Sequence, residues 1–215
     1  MKLLTTLLCL IAVQTALISQ FSASALYSSN NSDIIDQNLP FEAISPASVE
    51  LGLAYWFRLK SKRVEFLPEL SYAFYLDSGN NRPQTFKSAS ALHFSFNTQI
   101  YPIDFHSDCN SCPTFSKDGG LVKKGFYWII SPGISSYNFE FFDGIMGEEG
   151  AKIENVALRI GLGAGLDIGL SNLLTISPFA RYNISARLSD DTDSSTYKQF
   201  QFGLRAILRV DKDKW

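Results

Sequence analysis

The sequence predicts an all-β fold, an antiparallel up-and-down transmembrane β-barrel of about eight strands. Three observations lead there. First, residues 156–170 alternate without a break: Val156, Leu158, Ile160, Leu162, Ala164, Leu166, Ile168 and Leu170 against Ala157, Arg159, Gly161, Gly163, Gly165, Asp167 and Gly169. Strand side chains alternate between two faces, so one face is wholly aliphatic and the other is small, with one Arg and one Asp. Four glycines at alternate positions argue against a helix. Second, the run exceeds the ordinary strand of about 5–6 residues but suits a tilted strand crossing a bilayer. Third, the non-aliphatic face across the chain is mostly Gly, Ala and Ser with occasional charges. Soluble exteriors are far richer in Lys, Glu and Asp. A lumen ringed by about eight strands is only just wide enough for side chains, and such residues fit it.

Each element follows in order. Lys2, an apolar run over residues 3–18 and Ala23-Ser24-Ala25 form a signal-peptide pattern over residues 1–25, so the mature chain is expected to start near Leu26. Cys9 lies inside the apolar run after Leu8, too early for a lipoprotein site. Residues 26–47, rich in Ser, Asn and Asp, read as an N-terminal tail holding a candidate first strand over 34–44. The barrel domain is expected over 48–210. Val49, Leu51, Leu53, Tyr55, Phe57 and Leu59 oppose Glu50, Gly52, Ala54, Trp56 and Arg58. Phe66, Leu70, Tyr72 and Phe74 oppose Glu69, Ser71 and Ala73. Leu92, Phe94, Phe96 and Ile100 oppose His93, Ser95, Asn97 and Gln99. Residues 125–139 alternate less cleanly. Residues 156–170 come next. Ile176, Tyr182 and Ile184 oppose Ser177, Arg181 and Asn183, and finally Phe200, Phe202, Leu204, Ala206, Leu208 and Val210 oppose Gln201, Gly203, Arg205 and Arg209.

These are seven clear strands, and single-chain bacterial barrels have an even number. Short turns face the periplasm in such barrels, which assigns 60–63 and 171–173 to that side. The strand from Val49 then runs inward, so an eighth strand must precede it. Residues 77–88, 140–153 and 188–196 become outer loops. Residues 102–124 form an unusually long periplasmic loop, and 211–215 a short tail. Tyr55, Phe57, Tyr72, Phe74, Phe126, Trp128 and Tyr182 are candidates for interfacial aromatic girdles.

Composition sets the outer bounds. The 215 residues allow one domain, and 17 Phe with 9 Tyr favour strands. A formal charge of −2 gives no case for nucleic acid. No stretch after the N-terminus approaches the ~20 consecutive apolar residues of a membrane helix.

Candidate chemistry is sparse. Cys109 and Cys112 form a C-x-x-C pair in the long loop. A disulfide suits an oxidising compartment. Reactive thiols stay open beside it, as does a metal site drawing on His106, Asp104 and Asp108, although only three N/S ligands are present where structural zinc takes four. No metal, cofactor or catalytic residue is assigned, and the chain is not read as an enzyme. Glu50, Arg58, Glu69, Arg159, Asp167, Arg181, Arg205 and Arg209 fall on the inward face. Buried charges persist when paired, so these eight are expected as an ion-paired network plugging a narrow lumen, not as a selective pore. His93 with Ser95 and Glu69 raises a second reading, a lipid-modifying barrel enzyme, which needs His93 beside a hydroxyl and a carboxylate at the membrane rim. A third reading, a soluble lipocalin-like ligand-binding barrel, needs the aliphatic faces to point inward. Gly161, Gly163, Gly165 and Gly169 lie within a strand and so do not make a nucleotide-binding turn.

The pattern from about Val49 to Val210 resembles the outer-membrane β-barrel domain proteins of Bacteroidota. The pieces that carry the likeness are Tyr55-Trp56-Phe57-Arg58-Leu59, Val64-Glu65-Phe66-Leu67-Pro68-Glu69-Leu70 and Asp108-Cys109-Asn110-Ser111-Cys112-Pro113-Thr114-Phe115. Such chains often end on the aromatic that closes the last strand. Here Asp211-Lys212-Asp213-Lys214 follows Val210, and Trp215 falls out of phase with the apolar face. The resemblance implies a cell outer-membrane protein with a structural or interaction role. Its partners would be outer-membrane lipids, the barrel insertion machinery during assembly, and a protein met at the surface or through the periplasmic loop.

Overall fold

A computed structural model describes residues 20–32, 47–59, 62–76, 86–103, 125–141, 152–171, 174–188 and 196–208. They form ten strand segments: β1 (Phe21–Ser32), β2 (Ala47–Tyr55), β3 (Phe57–Arg58), β4 (Val64–Leu76), β5 (Phe86–Ile100), β6 (Phe126–Phe141), β7 (Lys152–Leu166), β8 (Ile168–Gly169), β9 (Leu174–Arg187) and β10 (Thr196–Leu208). β3 continues β2 past Trp56, and β8 continues β7 past Asp167, so the ten segments make eight staves. The pairing runs β10-β1-β2-β4-β5-β6-β7-β9 and returns from β9 to β10. Each of these pairs is antiparallel, and the ring is closed. Closure removes the unpaired edges an open sheet would carry.

The first stave corrects the sequence expectation. β1 pairs along its length with β10 from Ser22↔Ile207 to Ser32↔Tyr197, and with β2 from Phe21↔Tyr55 to Ser29↔Ala47. It therefore begins before Leu26, and it supplies the eighth strand assigned above to 34–44. Residues 33–46 lie outside the described residues, as do 104–124 with Cys109 and Cys112. β1 lacks the alternating apolar pattern of the other strands. Its outward positions, Phe21, Ala23, Ala25, Tyr27 and Ser29, carry no aliphatic stripe, and its first half coincides with the small-residue pattern of a cleavage site.

Leu59, Lys62 and Arg63, and likewise Leu170, Ser171 and Leu174, lie at one end of the barrel, here the turn end. Phe21 of β1 and Leu208 of β10 lie at the same end. The opposite, loop end is where β1 runs toward β2 and β4 toward β5.

Alternation sets which side chains go in. From β2 onward the burial of successive residues switches at nearly every step. Large apolar residues point out: Leu53 is 71% exposed, Leu162 60% and Leu204 52%. Buried polar residues point in, among them Glu50, Glu69, His93, Arg159, Arg181, Gln201 and Arg205. This is the reverse of a soluble barrel. The lipocalin-like alternative, which needs inward aliphatic faces, is not met. Of the seven aromatics expected in girdles, Phe57, Tyr72, Phe74, Trp128 and Tyr182 are exposed, and Tyr55 and Phe126 are half-buried.

Glycines open the space that large inward residues occupy. A Cβ on Gly165 would lie 2.3 Å from the Tyr127 hydroxyl oxygen, and one on Gly163 would lie 2.2 Å from the Ala180 carbonyl oxygen. Gly165 thus makes room for the Tyr127 ring of β6, and Gly163 for the close approach of the β9 backbone.

Candidate functional site

The inward faces build three layers. At the turn end Trp56, Leu67, Ala54 and Ile207 pack together, beside Leu26, Tyr101, Tyr127, Ile129 and Phe179. Polar ends of these rings are matched. Trp56 Nε1 donates to Glu65 Oε2 at 2.6 Å, Tyr101 Oη donates to Asp167 Oδ2 at 2.7 Å, and the Tyr127 and Ser177 hydroxyls bond each other. The Arg63 guanidinium lies over the Tyr101 ring at 4.2 Å, a favourable placement for a cation.

At the loop end Tyr137, Phe139 and Tyr197 pack on Ala73, Ala91 and Ala157, with Tyr75 against them. Tyr137 stacks on Phe139 with centroids 6.3 Å apart and meets Tyr197 edge-on at 5.7 Å. The three alanines, one each on β4, β5 and β7, leave room for these rings.

Between the two aromatic layers lies a polar chamber. Glu69 Oε2 accepts from Arg205 Nη2 at 2.7 Å and from Asn97 Nδ2 at 2.5 Å, and Glu69 Oε1 accepts from Ser24 Oγ at 2.6 Å. Asn97 Oδ1 accepts in turn from Ser131 Oγ at 2.5 Å and Arg181 Nη1 at 2.8 Å. Gln201 is the hub. Its Oε1 accepts from Arg159 Nη2 (2.9 Å), Arg181 Nη2 (2.7 Å) and Asn183 Nδ2 (2.8 Å). Its Nε2 donates to Glu50 Oε2 at 2.6 Å. Glu50 Oε1 also accepts from Ser71 Oγ at 2.5 Å. Both remaining arginines approach Glu50, Arg159 Nη2 at 3.7 Å and Arg181 Nη2 at 3.9 Å.

Charge and hydrogen bonding together explain why ions can sit here. A carboxylate buried alone would be costly, but Glu69 has three donors and Glu50 has two donors and two guanidinium groups nearby. A few polar atoms, including His93 Nε2, Arg159 Nη1 and Arg205 Nη1, make no hydrogen bond among the described residues.

Six of the eight charges expected in the lumen are buried: Glu50, Glu69, Arg159, Asp167, Arg181 and Arg205. Five of them meet in the chamber, whereas Asp167 sits in the turn-end layer on Tyr101. Arg58 lies opposite Glu65 in the β3–β4 register, and its side chain and Arg209 are outside the described residues. Sequence reasoning missed Glu65, buried two positions before Leu67, and the amides Gln201, Asn97 and Asn183. Alternation flags all four as inward. What it does not give is which staves face each other across the lumen.

His93 is fully buried, and its Nδ1 lies 2.8 Å from Ser135 Oγ. That hydroxyl belongs to β6, not to Ser95. Glu69 is engaged with Arg205, Asn97 and Ser24. His93 lies beneath Tyr137, with ring centroids 5.7 Å apart. It is buried inside the barrel, and its Nε2 makes no hydrogen bond among the described residues, so the hydroxyl–His–carboxylate arrangement that the lipid-modifying reading requires is not formed there. Among the described residues no three His, Cys, Asp or Glu side chains converge as metal ligands would.

No protein-family model and no curated protein matches the chain. Three solved structures are among those similar to it. Neisserial surface protein A is 13% identical over 86% of this chain and 94% of that one, with a TM-score of 0.46. The N-terminal β-barrel domain of Pseudomonas aeruginosa OprF is 12% identical over 87% and 98%, with a TM-score of 0.43. Ail, the attachment invasion locus protein of Yersinia pestis, is 14% identical over 90% and 100%, with a TM-score of 0.40.

Proposed function

We propose that this chain is an integral outer-membrane barrel with a structural or interaction role, its lumen plugged by its own charges and aromatic rings. One observation carries the reading: below the loop-end positions Glu140, Glu154 and Lys198, the outward side chains form an uncharged, largely apolar belt around the ring. On β10 the belt runs through Phe200, Phe202, Leu204, Ala206 and Leu208, and on β7 through Val156, Leu158, Ile160, Leu162, Ala164 and Leu166. On β4 it runs through Val64, Phe66, Pro68, Leu70, Tyr72, Phe74 and Leu76. Soluble monomers rarely expose contiguous apolar patches beyond a few hundred Å², whereas hydrocarbon welcomes such a surface. From Phe200 to Leu208 the chain rises ~26 Å along the strand, and a tilt of about 40° reduces this to ~20 Å, close to the apolar band of such barrels.

The plug reading follows from size and chemistry. Eight staves enclose a space that side chains fill, and here the arginines, glutamates and amides bond one another across it. Aromatic layers lie above and below. The turn end then faces the periplasm and the loop end the exterior. The 102–124 segment with its candidate Cys109–Cys112 disulfide, contact with a protein partner and kinship with the Bacteroidota barrels belong to this proposal on sequence grounds.

Outer-membrane fractionation and planar-bilayer recording test it together. The expected result is a protein of the outer-membrane fraction whose gel mobility changes on boiling and which adds no conductance steps. Recovery in the soluble periplasmic fraction would remove the membrane reading, and steady channels would remove the plug.

A further inference from the structure

We propose that the precursor is cut after Ser19, so that the mature protein begins at Gln20 and keeps β1 whole. This rests on the exported, outer-membrane reading given above. Signal peptidase sites carry small residues on either side of an arbitrary one, and Ala23-Ser24-Ala25 is the best match in the sequence. Yet all three residues are built into the wall. Ala23 pairs with Leu53 and Ala206, Ser24 with Gly52 and Arg205, and Ala25 with Leu51 and Leu204.

A cut after Ala25 would remove the turn-end half of β1. β2 and β10 would then face each other across a gap, each with unpaired backbone groups at membrane depth. Hydrocarbon offers those groups no hydrogen-bond partner, which is why spanning sheets are closed. The Ser24 hydroxyl donated to Glu69 would be lost, and so would the edge-on contact of Phe21 with Tyr55 at 5.8 Å.

The upstream limit is also visible. Trp56 N donates to the Gln20 carbonyl oxygen at 2.7 Å, so Gln20 still belongs to the barrel. Ser19 immediately precedes it and is the last small residue ahead of the strand; Leu17, two positions before, departs from the small-x-small pattern, so the assignment rests on Ser19 and on the intact β1. A cut there removes the whole apolar leader run and leaves every β1 pair in place.

Mass spectrometry of protein purified from outer membranes tests the assignment, allowing for loss of ammonia from an N-terminal glutamine. The expected first residue is Gln20. A chain starting at Leu26, or at any other internal residue, overturns the assignment. A chain still starting at Met1 overturns the leader reading beneath it. Two variants separate the sites. Ala25→Leu, whose side chain joins Leu51 and Leu204 on the outward face, should be processed like the parent. Ser19→Leu should accumulate precursor. The reverse pattern overturns the proposal.

Discussion

Arg205 on β10 and Glu69 on β4 bond across the lumen, Nη2 to Oε2 at 2.7 Å, although β1 and β2 separate their staves in the wall. Both side chains are almost fully buried. Glu69→Gln leaves the guanidinium without its counter-charge, which costs about 3–5 kcal/mol for a buried pair. The urea midpoint in detergent, read from the folded band on unboiled gels, should fall accordingly. Pairing the change with Arg205→Met should recover part of that loss; simple addition of the two single losses would contradict a direct coupling.

Gln201 should matter more than its neighbour Gln199. Gln201→Leu removes a hydrogen-bond partner from two arginines and Glu50 at once, whereas Gln199 gives Arg159 an acceptor at 2.9 Å and Ser48 a donor at 3.4 Å. Hydrogen bonds to charged groups contribute about 1.5–3 kcal/mol each, so Gln201→Leu is expected to cost at least ~3 kcal/mol. Equal midpoints for the two variants would argue against the hub.

Gly163→Ala should impair folding, because the added Cβ meets backbone and cannot be relieved by a rotamer change. The expected cost is about 1–3 kcal/mol, as for other overpacked sites. Ala164→Leu, one residue on and facing outward, should leave the folded fraction unchanged. Folding yield into detergent micelles separates them.

Depth should govern the effect of outward charges. Leu162 lies mid-belt and Leu170 at the turn end, exposed to 60% and 64%. In lipid vesicles Leu162→Arg should cost about 2–4 kcal/mol and Leu170→Arg about 0–1 kcal/mol. Equal costs, measured by reversible unfolding, would mean that no hydrocarbon surrounds the belt.

Period-two alternation made most of the wall legible in the sequence. Residues 156–170 show why: each outward position is aliphatic and each inward one is small or charged, so facing could be read directly. β1 was not legible because Ser, Ala and Asn fill it, and its barrel role depends on partners at the far end of the chain. The lumen charges were legible one by one as inward residues. Their pairing was not, since Glu69 meets Arg205 only once 135 intervening residues close the ring. The amide hub is a further case: Gln201 is an ordinary polar residue in sequence, and its role comes from Arg159 and Arg181 converging on it.

Two native tryptophans offer the most direct test of which face meets lipid. Trp56 points inward and is 2% exposed, while Trp128 points outward and is 52% exposed. In a Trp215→Phe background, Trp128→Phe leaves Trp56 as reporter and Trp56→Phe leaves Trp128. In vesicles of brominated phospholipid, Trp128 fluorescence should be strongly quenched and Trp56 fluorescence little changed. Strong quenching of Trp56 with Trp128 untouched would contradict a barrel whose apolar face lies in the membrane.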